Sequence, residues 1–305
     1  MIRAEHITKF YGAREAVRDL TFEIESREIV GFLGLNGAGK STTLRILAGL
    51  LAPSHGSVVV DGEDLLGPNG VRVRRRIGFL PERPPVYEDM TVRAFIEFAG
   101  RLRELPASKT SVRVSEVIER TGLEPYANEP ILNLSHGYRQ RVGIAQAIVH
   151  DPDLVILDEP TSGLDPIQMT QMRSLVTDLR ERHTVLLSSH NLHEITQTCD
   201  RLMIIRDGAL VASGSERELV DRLGAASTFR LHLVGEAQSA LETAVERGLI
   251  TAFETAGPAF DAVMAGPVEE LVRHLVEAGV GVRRVQPKAA ELEALFSAIT
   301  QEKAA

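Results

Sequence analysis

Nine residues, Gly34-Leu35-Asn36-Gly37-Ala38-Gly39-Lys40-Ser41-Thr42, constrain this chain more than any other stretch. They follow the apolar run Ile29-Val30-Gly31-Phe32-Leu33, which reads as a buried strand. They precede Leu44, Ile46, Leu47 and Leu50, which recur at helical spacing. Strand, glycine-rich turn and helix form the context of a phosphate-binding loop. Glycines let the backbone wrap closely around an anion, and the N–H groups converge on it with the positive end of the helix dipole. On this reading Lys40 reaches the β- and γ-phosphates and Ser41 offers its hydroxyl to a bound Mg²⁺. A strand-to-helix turn with chance glycines leaves the Lys-Ser-Thr ending unexplained. The stretch predicts a nucleotide site in an α/β fold.

Further along, Leu154-Val155-Ile156-Leu157 is the strongest buried-strand signal, and it ends in Asp158-Glu159. Two carboxylates there are costly to bury unless a cation or a reaction needs them. Beside a phosphate loop, the economical assignment puts Asp158 on Mg²⁺ and Glu159 on the attacking water. Thr184 to Ser189 is a strand that ends at His190, where α/β sheets place their ligands. His190 and His193 lack a third partner for a metal site. Ser135, in Leu134-Ser135-His136-Gly137-Tyr138, is placed to cap the helix that follows. The residues alone leave a plain cap and an anion-directed helix end equally open. Ser162-Gly163-Leu164-Asp165-Pro166 is a turn into a helix carrying Met169, Met172, Leu175, Val176 and Leu179. Tyr11, beside Gly12, reads first as a hydrophobic plug, with stacking on a nucleotide base as the alternative.

The 305 residues suggest two domains, and a net charge of −8 argues against nucleic acid as the main partner. Cys199 is the only cysteine, which excludes an intrachain disulfide. Met1 to Glu5 opens into a strand pattern rather than a signal segment, and no apolar run approaches the ~20 residues that span a bilayer. A role at a membrane therefore needs a second chain. Residues 2–26 read as β-structure, with Leu20, Phe22 and Ile24 alternating against polar neighbours. Strands are also expected at Ser57–Gly62, Ile77–Leu80, Leu202–Ile205 and Leu210–Ala212. Arg72, Arg74, Arg75 and Arg76 read as a solvated face. Thr91 to Thr121 is helical, with Phe95, Phe98 and Leu102 on one face and Val112, Val117 and Ile118 on a second helix. A connecting helix to about Leu223 and a boundary at 224–227 lead to a small α+β domain. Its strands are expected at Phe229–Val234 and Ala259–Met264, and its helices at Gln238–Arg247, Val268–Ala278 and Ala290–Thr300.

Taken in order, these motifs resemble those of ABC transporter ATP-binding subunits. Gly34–Thr42 is similar to their Walker A motif, Leu154–Glu159 to Walker B with its following glutamate, and Leu134–Tyr138 to the signature usually written LSGGQ. Ser162–Asp165 resembles the D-loop, His190 the switch histidine and Tyr11 the base-stacking aromatic. The match covers roughly residues 1–220. The tail at Ala290–Phe296 resembles the accessory domain of the ABC-2 export branch, and Gly137–Gly143 looks closest to gliding-motility-type and multidrug-type subunits. Glu82 stands where many relatives carry a Q-loop glutamine, and it cannot donate an amide hydrogen bond. His136 replaces a signature glycine and would be strained at positive φ.

The resemblance implies a P-loop NTPase fold with an antiparallel β-subdomain and a helical subdomain at about 83–150, within an ATPase domain of residues 1–223. Residues 224–305 would form the accessory domain. It implies ATP and Mg²⁺, with Glu159, His190 and Lys40 catalytic and with Ser41, Glu82 and Asp158 around the metal. Nucleotide contacts would come from Tyr11, from each residue of the loop 34–42, and from Asp165, with Ser135 and Gly137 acting in trans. The partners implied are a second ATPase subunit, identical or paralogous and arranged head to tail, and an integral membrane permease of ABC-2 type. The permease's coupling helices would sit on the helical block at 91–121, which puts the subunit in the cytoplasm on the inner face of the membrane. The rival is a soluble ABC ATPase acting on nucleic acid, ribosomes or a scaffold. Such relatives carry two ATPase units or a long coiled coil, and this chain has neither. Lys40, Asp158, Glu159 and His190 argue against a non-hydrolysing regulatory subunit.

Overall fold

The computed structural model describes residues 1–222 and 228–287. Two compact units divide the chain, Met1–Ser215 and Glu216–Ala305. In the first, the elements run β1 (Ile2–Tyr11), β2 (Arg14–Ile24), β3 (Ile29–Leu33), α1 (Lys40–Leu47), β4 (His55–Val60), β5 (Glu63–Asp64), α2 (Gly70–Arg74) and β6 (Ile77–Leu80). They continue with α3 (Val92–Leu102), α4 (Ala107–Arg120), α5 (His136–Ile148), β7 (Leu154–Asp158), α6 (Pro166–Leu179), β8 (Thr184–Ser189), α7 (Leu192–Thr196), β9 (Arg201–Arg206) and β10 (Ala209–Gly214).

Two sheets organise this unit. An antiparallel sheet has the order β2-β1-β4-β5, and a six-stranded sheet has the order β10-β9-β3-β8-β7-β6, parallel from β9 to β6. The alternation in β2 buries Leu20, Phe22 and Ile24, while β3, β7 and β8 are buried along their whole length, as strands covered on both faces must be. Phe22 and Phe32 meet edge to face at 5.4 Å and join the two sheets in one core with Leu44 and Leu47 of α1. Helix α1 ends in a Schellman turn: Gly49, at φ +69°, donates to Ile46 and Leu50 donates to Arg45. Leu50 therefore lies outside the helix and is exposed, contrary to its expected place on the helical face.

The helical block consists of α3, capped by Thr91, and α4. Their buried faces are Val92, Phe95, Ile96 and Ala99, and Val114, Val117 and Ile118. Leu102 and Val112, expected on those faces, are exposed. Leu102 is the last residue of its helix, and Val112 sits about 140° around the helix from Val117. Arg113 pins α4 by donating to the carbonyls of Ile148 and Val149 and pairing with Asp151. In the basic run Arg72 and Arg75 are exposed and Arg74 and Arg76 half-buried, and the run is not simply solvated. Arg72 pairs with Glu63 at 2.7 Å, Arg75 with Glu104, and Arg76 with Asp61 and Asp153, while Arg74 donates to the Leu65 carbonyl.

The second unit begins with α8 (Glu216–Arg222) and continues with β11 (Thr228–Val234), α9 (Ala237–Glu246), β12 (Ile250–Ala256), β13 (Ala259–Met264), α10 (Val268–Glu277) and β14 (Gly281–Pro287). The antiparallel order β12-β13-β11-β14 makes it a split βαβ, ferredoxin-like arrangement. Leu231, Leu241, Ala262, Leu271 and Leu275 fill its core. The sequence pattern missed β12 and β14, whose exposed residues break the hydrophobic alternation. The expected boundary at 224–227 and the expected helix at 290–300 lie outside the described residues.

Candidate nucleotide site

Three adjacent parallel strands deliver the site. β8 lies between β3 and β7, with Leu33 opposite Ser189 and Ser188 opposite Asp158. The loop after β3, His190 after β8 and Asp158-Glu159 at the end of β7 therefore meet at the carboxyl edge of the sheet. The glycines are fixed by space. A Cβ at Gly34 would stand 2.5 Å from the Ile205 carbonyl oxygen, and one at Gly39 would stand 2.5 Å from that of Ala16. Gly39 is also at φ +103°, at the N-terminal cap of α1, a conformation that side chains resist.

A cavity of about 440 Å³, within the ~300–1,000 Å³ of small-ligand sites, opens over this loop. Tyr11, Leu35, Asn36, Gly37, Gly39, Lys40, Ser41, Thr42, Glu82, Glu159 and His190 line it. Gly34 and Ala38 belong to the floor of the loop: the Gly34 carbonyl accepts from Lys40 Nζ at 2.7 Å, and Ala38 donates to Leu35. Tyr11 is no core plug, because the residue is 48% exposed and lines this cavity.

The charged groups form one network. Glu159 Oε1 lies 3.5 Å from Lys40 Nζ, and Oε2 accepts from His190 Nδ1 at 2.8 Å. Asp158 Oδ1 accepts from Ser188 Oγ at 2.7 Å and from Ser41 Oγ at 3.2 Å. Ser188 Oγ also accepts the Glu159 N–H at 2.9 Å, so one hydroxyl ties both acids together. Glu159 itself sits at φ +50°, in the left-handed region where a non-glycine residue costs energy. Among the described residues no cluster of three or more His, Cys, Asp or Glu side chains is arranged to hold a metal. The Ser41 hydroxyl and one Asp158 oxygen beside a phosphate loop nevertheless fit Mg²⁺, which takes few protein ligands and keeps water and phosphate oxygens.

Ser135, Gly137 and Asp165 do not line this cavity. Ser135 is exposed and caps α5, accepting from the Tyr138 N–H. Asp165 caps α6, accepting from Ile167 and Gln168. With Gly137, Asp165 borders a separate cavity of about 230 Å³. His136 is helical and unstrained, and its Nε2 donates to the Ser162 carbonyl at 2.9 Å. The carbonyl of Glu82 accepts from buried Gln140 at 3.0 Å, which leaves its carboxyl group on the cavity. Sequence reasoning missed Arg14 in the lining and Ser188 beneath it, and named Ser162 only as part of the turn 162–165. Ser188 becomes visible only once β8 is paired with β7. Arg14 becomes visible once the β1–β2 hairpin folds over the loop, with its Nη2 3.8 Å from where a Gly37 Cβ would be.

Comparison with known proteins agrees with this geometry. The family described as ABC transporter matches residues 17–162, from β2 through the acids of β7 to the turn beyond. An uncharacterized ABC transporter ATP-binding protein of Bacillus subtilis, YxlF, is 34% identical over 97% of this chain and 98% of its own. The Nod factor export ATP-binding protein I of Ralstonia nicotianae is 36% identical over 72% of this chain and 68% of its own. Among solved structures, a dimeric post-hydrolysis state of the ATP-binding cassette MJ0796 bound to ADP and Pi superposes with a TM-score of 0.65 at 25% identity, covering 70% of this chain and 98% of that one. An alignment that runs nearly end to end through a full-length relative, on a fold that places both acids over the phosphate loop, leads to one conclusion: this chain belongs to the ATP-binding, ATP-hydrolysing proteins of the ABC transporter family.

Proposed function

We propose that this chain is the motor of an exporter, closing head to tail on a second ATPase subunit around ATP and driving a separate ABC-2 permease from the cytoplasmic face. One observation carries the reading. Lys40, Glu159 and His190 share a cavity, whereas Ser135, exposed as the cap of α5, and Gly137, buried in its first turn, lie outside it. That arrangement is two half-sites, which a second copy would complete by bringing Ser135 of the partner subunit to the γ-phosphate. The permease is assigned to another chain because no helix among the described residues is long and apolar enough to cross a membrane. The export direction is supported by the Ralstonia relative, a Nod factor export ATP-binding protein.

On this reading ATP draws Lys40 Nζ from Gly34 and Glu159 onto its β- and γ-phosphates. Ser41 and Asp158 would hold Mg²⁺, which would supply positive charge to neutralise the phosphates. Glu159, oriented by His190, takes a proton from water as the water oxygen bonds to the γ-phosphorus and the bond to ADP breaks. Tyr11 stacks on the base, and Asp165 holds the turn that faces the second subunit. Glu82, on the cavity lining, would accept from water around that metal.

The test is Glu159→Gln, which keeps the shape of the side chain but removes the base. Turnover should fall about 10²- to 10⁴-fold, and light scattering should show a dimer with Mg·ATP. Native membranes carrying this variant should co-purify an integral membrane protein. A chain that stays monomeric in Mg·ATP and recovers no membrane partner would sink the proposal.

A further inference from the structure

His136 carries an imidazole where the family signature has only a hydrogen atom, and the ring is engaged. Its Nε2 lies 2.9 Å from the Ser162 carbonyl oxygen, and because a carbonyl only accepts, the ring proton sits on Nε2. Ser162 lines the nucleotide cavity and donates its own N–H to the Glu159 carbonyl at 3.1 Å. Two successive hydrogen bonds thus run from the backbone of Glu159, held at φ +50°, to the first residue of α5. The ring packs beside Gly163, where a Cβ would stand 3.4 Å from His136 Nε2, in ordinary contact. A second contact braces the same corner. A Cβ on Gly137 would fall 2.4 Å from Gln168 Oε1, so the first turn of α5 rests directly on the first turn of α6. A glycine at 136 would keep the second contact and lose the first.

We infer that His136 is a positioning residue that latches the start of α5 to the turn 159–162, so that nucleotide in this chain's cavity sets the posture of Ser135 and Gly137. The consequence for turnover rests on the dimer reading above, but the latch itself lies within one chain. Occupancy shifts Glu159 and Ser162, the Ser162 carbonyl carries the shift to the imidazole, and the imidazole carries it to the helix end. Without the latch each half-site would still bind its own ligand, but the two would be decoupled.

ADP tests the latch, because it fills the cavity without the γ-phosphate that bridges two subunits. Hydrogen exchange of amides 136–140 is measured with and without Mg·ADP in the full chain, in His136→Ala and in His136→Gln, at a concentration where light scattering shows monomer. Glutamine keeps an N–H of similar reach. ADP should slow these amides about 3- to 10-fold in the wild type and in His136→Gln, and by less than about 1.5-fold in His136→Ala. Affinity for ADP should agree within about twofold across the three, and kcat of His136→Ala should fall about tenfold at unchanged KM, with His136→Gln near wild type. Equal ADP effects in wild type and His136→Ala, no ADP effect in wild type, or a glutamine variant that behaves like alanine would each overturn the latch. The dimer reading fails separately, through the Glu159→Gln variant, and leaves the ADP exchange result standing.

Discussion

Lys40 Nζ stands 3.5 Å from Glu159 Oε1, and the two side chains are only 6% and 11% exposed. The ammonium proposed to recognise phosphate and the carboxylate proposed to handle water are therefore partners in the same buried pair, with the Gly34 carbonyl as the third member. Phosphate and carboxylate compete for one cation. Lys40→Ala should weaken ATP binding about 10- to 100-fold, the worth of a charge-assisted hydrogen bond. Fluorescent-nucleotide titration reads this directly, and wild-type affinity in the variant would contradict the assignment of the loop.

Ser188 is fully buried and serves both acids, accepting from the Glu159 N–H and donating to Asp158. Ser188→Ala leaves a buried donor without its acceptor. Unfolding free energy should drop by about 1–3 kcal/mol in urea titrations. Because the lost bonds set the position of Asp158 and Glu159, kcat should fall more than ATP affinity does. A variant with wild-type stability and kcat would reduce Ser188 to filler.

Tyr11 presents an exposed ring at the cavity, with Lys9 Nζ 5.8 Å from its centroid. A base stacked there is worth about 1–3 kcal/mol, so Tyr11→Ala should raise the Kd for ATP roughly 5- to 150-fold. Tripolyphosphate, which has no base, should bind the variant as it binds the wild type. Equal ATP affinity would remove the ring from recognition.

Two histidines, His183 buried and His150 half-buried, should lower stability in acid. Burial pushes the pKa of His150 down to about 4, with Arg103 adding to the effect, and burial also lowers that of His183. Both are neutral in the folded chain at pH values where the unfolded chain already takes up protons. Stability is then fully present above the ordinary histidine range and is lost as pH falls from about 6.5 toward 4, by on the order of 3 kcal/mol for His150. Urea midpoints between pH 4 and 7 should trace this decline. An NMR titration of His150 with a midpoint near 6.5 would refute it.

What the sequence revealed follows from how local each signal is. The phosphate loop, the acids after Leu157 and His190 all stand at the end of an apolar strand, so a few neighbouring residues announce each of them. Ser188 and Arg14 matter only through strand pairing and hairpin folding, which join residues far apart in the chain. Tyr11 reads first as core from its neighbours alone, because an aromatic beside a glycine commonly is; the β1–β2 turn over the loop instead leaves it exposed at the cavity. The edge strands β12 and β14 carry too many charged and exposed residues for a period of two to stand out. Leu102 and Val112 show the opposite error, apolar residues at the margin of a helix pattern that nothing covers.

The register of β8 against β7 has a final consequence. In that ladder Ser188 faces Asp158, and a slip of one residue would turn the hydroxyl to the opposite side and set Leu187 beside the acid. Chemical accuracy in this enzyme is thus stored in the weave of its sheet. A defect that loosens the weave should dull the catalyst well before the molecule comes apart.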